Sequence, residues 1–439
     1  MPLPALLLVI TAAAAQAATV IYVDPTGGDD AHSGATKQLA LRSLPAAQQV
    51  VRERRAGGEA GAVSVLLAGG MYELPSGLRF DSPLDGGLSA AASTTWAALD
   101  PEHAPQLVGG MSVSGLKWQH ALGRGHGVWQ ASLPPSLRRD LAMNVSGGAG
   151  RLGAEIVELQ YSDGNSSRRR LWRARHPNLD HTFPTIWGGG YLTASGGIGS
   201  LPCAFRSPRV TIATPEGTSV DCALPADRSF PGEPPRGMKF ETSQLSGGAA
   251  PPLANWTVSR GIVHVSTFAQ PPDQGNGITG NGYAWVQNNL QYTIGGIRSA
   301  DGTAETTEVD FELGGQQVNS YSWVLGAANI QNGSRWFIEN VPELLDAPSE
   351  FWHDVEAGLL YVRPPAGVAD PSELEALIAI TAQRLLDVGR RTSAGVSPIS
   401  HLHFKGLELS GSRPTFLEEY EVPYRGDSDW TIHRPSTLC

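Results

Sequence analysis

The sequence predicts an all-β protein, and three observations carry the prediction. Gly 52 and Pro 32 together make about a fifth of the 439 residues, well above the ~12% of an average protein, and both residues damage helix interiors. Charged residues are 17%, against ~25% usually. The hydrophobic share of 41%, with 11 Trp, 10 Tyr and 11 Phe, is enough for a large core and excludes wholesale disorder. Third, short β-branched or aromatic runs recur about every 10 residues, each ended by Gly, Asp or Pro, a cadence that fits a sandwich, a barrel or a β-solenoid. The length suits roughly three domains or one elongated architecture.

The elements justify this in order. Leu6–Ala15 is an apolar run too short to span a bilayer, and Ala15-Gln16-Ala17 is a small-residue cleavage site, so residues 1–17 read as a secretory signal peptide. Thr19–Asp24 is a β-branched strand, followed by the turn cluster Pro25–Asp30. Ser43 is an N-cap with Pro45 in the first turn, and Leu44, Ala47, Val50 and Val51 recur at helical spacing to Arg55, stopped by Gly57-Gly58. This is the one helix predicted in the first third. Val63–Leu67, Leu78–Phe80, Thr94–Leu99 and Gln106–Val108 are strands. From about residue 120 to 335 the texture changes: Pro-Pro pairs at 134, 234, 251 and 271 and several Gly-rich loops surround strands such as Arg209–Ala213, Gly261–Val265 and Tyr283–Val286. That stretch, 121–335, reads as a β-rich, sandwich-like insertion with its own core. From Arg335 the short strands return: Trp336–Asn340, Glu350–Asp354 and Leu359–Val362 about a turn, Ala376–Ile380, Leu385–Val388, Ile399–Phe404 and Gly406–Leu409. Their ~20-residue recurrence is the size of one solenoid turn.

Four pieces together resemble a known family. Tyr22–Asp30 with Ser33-Gly34 and the Ser43–Arg55 helix is similar to the entry of right-handed parallel β-helix, pectate-lyase-like proteins, where the helix caps the open end. Leu67–Leu74 resembles their first coil. Arg173-Ala-Arg-His-Pro-Asn178 resembles a short Arg/Pro/Asn motif of β-helix glycoside hydrolases, and Trp336–Trp352 with Leu359–Pro365 is the most specific piece. The resemblance implies a right-handed parallel β-helix: cap and first coils over 18–120, the insertion over 121–335, and resumed coils over 336–439. It also implies action on carbohydrate, glycoside hydrolase-like; the alternatives are a polysaccharide lyase or epimerase on the same fold, a non-catalytic glycan-binding or cell-surface structural module, and an inactive fragment. In the family, the segment like Phe404–Leu409 opens a stack of further coils, so the resumed β-helix is expected to be incomplete at Cys439.

Glycoside hydrolysis usually takes two carboxylates. The richest acidic group is Glu418, Glu419, Glu421, Asp427 and Asp429 beside Tyr420, Trp430 and His433. Asp427 or Asp429 is the expected acid/base, Glu418 or Glu421 its partner, and Trp430 a surface for a sugar face; a solvated acidic loop is the other reading. Arg173, Arg175 and His176 are candidate substrate contacts, because Arg binds a uronate carboxylate bidentately and His transfers protons. Arg173 and Arg175 also suit structural ion pairs. His401 and His403 alternate on one strand with no third ligand evident, so no metal and no cofactor is expected. Trp323, Trp336 and Trp352 suit core packing.

The net charge of −10 is the wrong sign for a nucleic-acid binder. No later segment is apolar enough for a membrane helix, so the expected state is a secreted, extracellular monomer whose partner is a polysaccharide or oligosaccharide. Sequons at Asn144, Asn165, Asn255 and Asn332 fit a glycoprotein. Cys203 and Cys222 are placed to close a disulfide loop of about 20 residues, worth ~3 kcal/mol, which leaves Cys439 without a partner.

Overall fold

The computed structural model describes residues 18–143, 155–162, 168–179, 190–198, 237–245, 256–266, 289–298, 305–314, 330, 332–392 and 395–413. They are mostly β with few helices, and they fall into two compact units. One takes the chain up to Gly109 and again from Arg384 to Gly411; the other takes Gly110–Gln383, with Ser412 and Arg413.

The first unit is built from parallel ladders. Thr19–Val23, Val63–Leu67, Thr94–Ala98 and Leu402–Lys405 form a four-stranded sheet in that order. The register aligns Ile21 with Val65, Val65 with Trp96 and Trp96 with Phe404. Alternation along these β-branched runs turns Ile21, Val23, Val63, Val65, Leu67 and Trp96 into one core. Gly70–Glu73, Pro105–Val108 and Glu408–Ser410 make a second parallel ladder, and Leu78–Phe80 pairs parallel with Leu386–Val388 in a third. Successive passes of the chain meet these ladders in the same order. Phe80 sits edge-on to both Trp96 and Phe404, at 5.5 and 5.3 Å. Gly77, at φ +70, turns the chain where an added Cβ would lie 2.0 Å from the Arg384 carbonyl oxygen, so only glycine fits.

The helix Leu44–Ala56 forms as the sequence predicts. Ser43 caps it by accepting from the Ala46 N–H, and Leu44, Ala47 and Val51 enter the same core. Its polar side is pinned too: Arg52 bridges Asp85 and Asp81 at 2.7 and 3.0 Å. The buried Arg55 guanidinium donates to the carbonyls of Glu59, Gly61 and Ala92.

The second unit holds two eight-stranded sheets, almost wholly antiparallel. The first runs Gly110–Ser112, Glu375–Ile380, Glu158–Ser162, Arg168–Arg173, Glu350–Asp354, Leu359–Arg363, Trp129–Ser132, Gln119–His120. The second runs Arg175–His176, Arg335–Glu339, Ile262–Ser266, Asn289–Arg298, Thr306–Gly314, Gly237–Glu241, Gly196–Ile198, with Leu192–Thr193 also paired to Arg335–Glu339. One core joins Trp352 and Tyr361 of the first sheet to Trp336, Ile338, Val263 and Val265 of the second. Another lies on the opposite face of the first sheet, around Phe351, Leu360, Val362 and Leu377.

Two features differ from the expectation. Pro135–Met143 is a second helix; the Pro-Pro pair marks its start, since Pro135 takes the first helical position, where no N–H is needed. The strands between Arg335 and Ile380 pair inside the largely antiparallel sheets, where Glu350 and Phe351 make one short parallel step beside Trp172 and Arg173, and the parallel ladders of the first unit resume at Leu386. Apolar alternation gives a strand its faces but not the direction of its neighbours. Arg209–Ala213 and Tyr283–Val286, expected as strands, lie outside the described residues.

Candidate functional site

A group of buried charged residues in the second unit lies where the chain crosses between its two sheets. Arg168–Arg173 ends in the first sheet, with Trp172 and Arg173 opposite Glu350 and Phe351. One residue later Arg175 and His176 stand opposite Glu339 and Ile338 in the second sheet. The return crossing runs beside it: Arg335–Glu339 leaves the second sheet at Asn340, and the chain re-enters the first at Glu350. Ala174, fully buried, ties the crossings together. Its N–H donates to the Phe351 carbonyl at 2.8 Å and its carbonyl accepts from the Asn340 N–H at 2.7 Å. Asn340 takes φ +65 there, a left-handed conformation that Asn tolerates better than most residues. Its side-chain amide donates to Glu155 at 2.9 Å and to the Arg260 carbonyl at 2.8 Å.

Glu339 is the hub. Its carboxylate receives Arg173 Nη2 in a charge-assisted hydrogen bond, and its Oε1 lies 2.9 Å from His264 Nε2. Burial alone would raise this carboxyl; Arg173, His264 and Arg175 outweigh it and hold it down at about 2. Arg175 donates to the carbonyls of Pro177 and Gly190 at 3.0 and 2.7 Å. Its guanidinium lies 3.9 Å from the centroid of the Phe337 ring, while His264, opposite Phe337 on the next strand, stacks on that ring at 4.3 Å and 6°. Burial lowers both Arg175 and His176.

Two further carboxyls are pushed the other way. Burial raises Glu350 to about 8, against the Ala347, Asp346 and Arg175 N–H groups that its oxygens accept from. Burial also raises Glu155 to about 7, despite the Asn340 amide and the charges of Arg173, Arg260 and Arg413. Its Oε2 is buried with no hydrogen-bond partner. His353, pushed down to about 4 by burial and by Arg260, accepts at Nδ1 from the Ile156 N–H at 3.0 Å. One carboxyl therefore stays ionised while two hold protons near neutrality, the separation that acid/base pairs need. All three side chains are buried, so the same set also acts as an ionic lock across the crossings.

The structure thus brings Arg173, Arg175 and His176 together. Arg173 and Arg175 are 5% and 4% exposed and engaged by protein partners. Glu339, Glu350, His264, Glu155 and Asn340 are the residues that sequence reading left out; Glu339 and Glu350 lay within the Trp336–Trp352 piece but read as strand ends. Glu418, Glu421, Asp427, Asp429 and Trp430 lie outside the described residues, as do Asn144, Asn165, Asn255, Cys203, Cys222 and Cys439. Asn332 is exposed in a turn before the Arg335–Glu339 strand. Among the described residues, no three His, Cys, Asp or Glu side chains are grouped to hold a metal ion, and no helix is long and apolar enough to cross a membrane.

The fold has a solved counterpart. A structure described as a glycoside hydrolase is similar to this chain, with a TM-score of 0.54 and 16% identity, over 90% of this chain and 51% of that one. The chain spans about half the length of the structure it matches. No family model and no curated protein matches the sequence.

Proposed function

We propose that this is a secreted, carbohydrate-acting protein of the glycoside hydrolase type, built on a right-handed parallel β-helix that the antiparallel second unit interrupts. The observation that carries the reading is the likeness of 90% of the chain to a glycoside hydrolase structure. The first unit supports the β-helix: three parallel ladders, met in the same order on successive passes and closed around one apolar core, are the elements from which such a solenoid is stacked. In this reading Asp427 or Asp429 serves as acid/base with Glu418 or Glu421, Trp430 carries a sugar face, and Arg173, Arg175 and His176 shape the substrate side. A signal peptide over 1–17, glycans on the four sequons and the Cys203–Cys222 disulfide belong to the same proposal.

The test is to incubate the purified protein with a broad panel of plant and algal polysaccharides, assaying reducing ends, unsaturated ends by ultraviolet absorbance, and retention by each glycan. New reducing ends without unsaturation are expected. Unsaturated ends would replace the hydrolase with a lyase, and retention without cleavage would leave a glycan-binding module. Neither cleavage nor retention across the panel would overturn the carbohydrate reading.

A further inference from the structure

The second unit carries a row of side chains suited to a sugar, with a strap lying over it. Antiparallel register sets Trp352 opposite Tyr361, Tyr361 opposite Gln130 and Gln130 opposite Gln119. Directly opposed residues share a face, so two aromatic rings and two amides line up across four strands. The other face of these strands carries Phe351, Leu360 and Val362 into a separate core. The rings of Trp352 and Tyr361 lie 5.4 Å apart, tilted by 36°. Each residue is only 8% exposed, in the core that Ala121 and Val128 at the two ends of the strap also enter, and the Trp352 indole N–H, like those of Trp96 and Trp336, has no hydrogen-bond partner.

The hairpin loop Ala121–Val128, Ala-Leu-Gly-Arg-Gly-His-Gly-Val, contributes to that burial. Arg124 sets its guanidinium 5.0 Å from the Trp352 ring centroid and 5.1 Å from that of Tyr361. The rest of the strap is lightly held. A Cβ on Gly123, Gly125 or Gly127 would meet nothing within 4 Å, so close packing does not require these glycines. Two of its backbone bonds, Arg124 N–H to Ala121 O and Val128 N–H to Gly125 O, are long at 3.3 Å. Leu122, beside Ala121, is 95% exposed. Three glycines in five residues leave a segment with many accessible conformations and little to order it.

We propose that the strap Leu122–Gly127 is a movable cover on a carbohydrate subsite formed by Trp352, Tyr361, Gln130 and Gln119. Closed, the Arg124 guanidinium occupies the place over the rings that the C–H face of a pyranose takes when the strap lifts. Open, the rings stack on that face, and the two amides with the Trp352 N–H answer its hydroxyls. The ligand is a pyranose chain. The subsite rests on the carbohydrate reading; the mobility of the strap does not.

Two measurements on the whole protein test this. Hydrogen exchange without ligand is expected to show the amides of Leu122–Gly127 exchanging far ahead of the Trp129–Ser132 and Leu359–Arg363 strands; equal protection would overturn the cover. Affinity electrophoresis through gels holding soluble xylan, β-glucan or galactan compares the wild type with Arg124→Ala and Gln130→Ala. Losing the cation–π contacts that close the strap should tighten retention about fivefold, and Gln130→Ala should weaken it. Glycan binding or cleavage by the wild type with both variants indistinguishable from it would refute the subsite and leave the proposed function standing. Neither retention nor cleavage of any polysaccharide by the wild type or either variant would refute both.

Discussion

Replacing Glu339 by Gln tests the ionic lock where its chemistry is most exposed to measurement. The substitution keeps the shape and removes the charge, so Arg173 and His264 lose the carboxylate they share. Breaking a buried pair from one side costs about 3–5 kcal/mol, because a charge is left uncompensated in the interior. A second route gives a similar figure. A carboxyl held at about 2 in the folded protein against its ordinary 4.5 favours folding by roughly 2.5 × 1.36, or about 3.4 kcal/mol, once the pH is above the unfolded value. That stabilisation is full above pH ~4.5 and is lost as pH falls toward 2. Urea unfolding followed by circular dichroism at several pH values should show Glu339→Gln less stable by about 3–5 kcal/mol at pH 7. The difference should narrow through the window from pH ~4.5 down to ~2. A double change, Arg173→Met with Glu339→Leu, should recover most of the loss, since apolar side chains of similar size replace buried pairs well. A Glu339→Gln protein within about 0.5 kcal/mol of wild type at pH 7 would refute the account of Glu339 as the hub.

Other expectations concern the neighbours and the first unit. Glu155 titrates near 7 when folded and 4.5 when not, so the unfolded state releases its proton first and stability falls as pH rises from ~4.5 to ~7; Glu155→Gln should flatten that slope in urea titrations at pH 5 and 8. His353, held neutral down to about 4, contributes in the opposite sense, with stability lost as pH falls from ~6.5 toward 4, and His353→Gln should remove that part of the acid sensitivity. Asn340→Ala should cost about 2–3 kcal/mol through a left-handed φ and two buried acceptors left without their donor; Asn340→Gly should recover the backbone share in thermal melts. Trp96→Ala, at the centre of the first unit's core, should cost about 3–5 kcal/mol in the transition of that unit, read from hydrogen exchange of the Val63–Leu67 amides.

Local order was legible in the sequence where local physics decides it. The Ser43 cap, Pro45 and the apolar spacing to Arg55 define a helix within a residue of where it lies, and β-branched alternation marks Val63–Leu67 as a strand with three of its residues inward. Pairing is different. Leu402 lies beside Thr94, and Arg173 meets Glu339 across 166 residues; alternation cannot name a partner that far away. It cannot give direction either: Glu350–Asp354 and Leu359–Val362 read as strands about a turn within resumed coils, and they stand as an antiparallel hairpin inside a largely antiparallel sheet. The candidate site divides along the same line. Arg173, Arg175 and His176 were visible as unusual residue types in one short motif. Glu339 and Glu350 were single acids among ordinary strand residues, and only the crossing of two sheets turns them into carboxyls of opposite charge state.

That crossing explains why so many charges are buried in one place. A chain leaving one sheet for another gives up its ladder hydrogen bonds, and two such departures lie side by side at Ala174 and Asn340. Apolar side chains alone would bury the freed backbone groups without answering them, at a cost comparable to a lost hydrogen bond for each. Glu350 answers three N–H groups, those of Asp346, Ala347 and Arg175, Arg175 answers the carbonyls of Pro177 and Gly190, and Asn340 answers Arg260. Each of these polar side chains then needs a counter-group or a proton, and Glu339, His264 and the raised carboxyls of Glu155 and Glu350 are how that need is met. The Arg173-Ala-Arg-His motif is thus bound to the place where the second unit changes sheets, and a substrate role for it has to operate through the face that Phe337, His264 and Tyr191 share with Arg175.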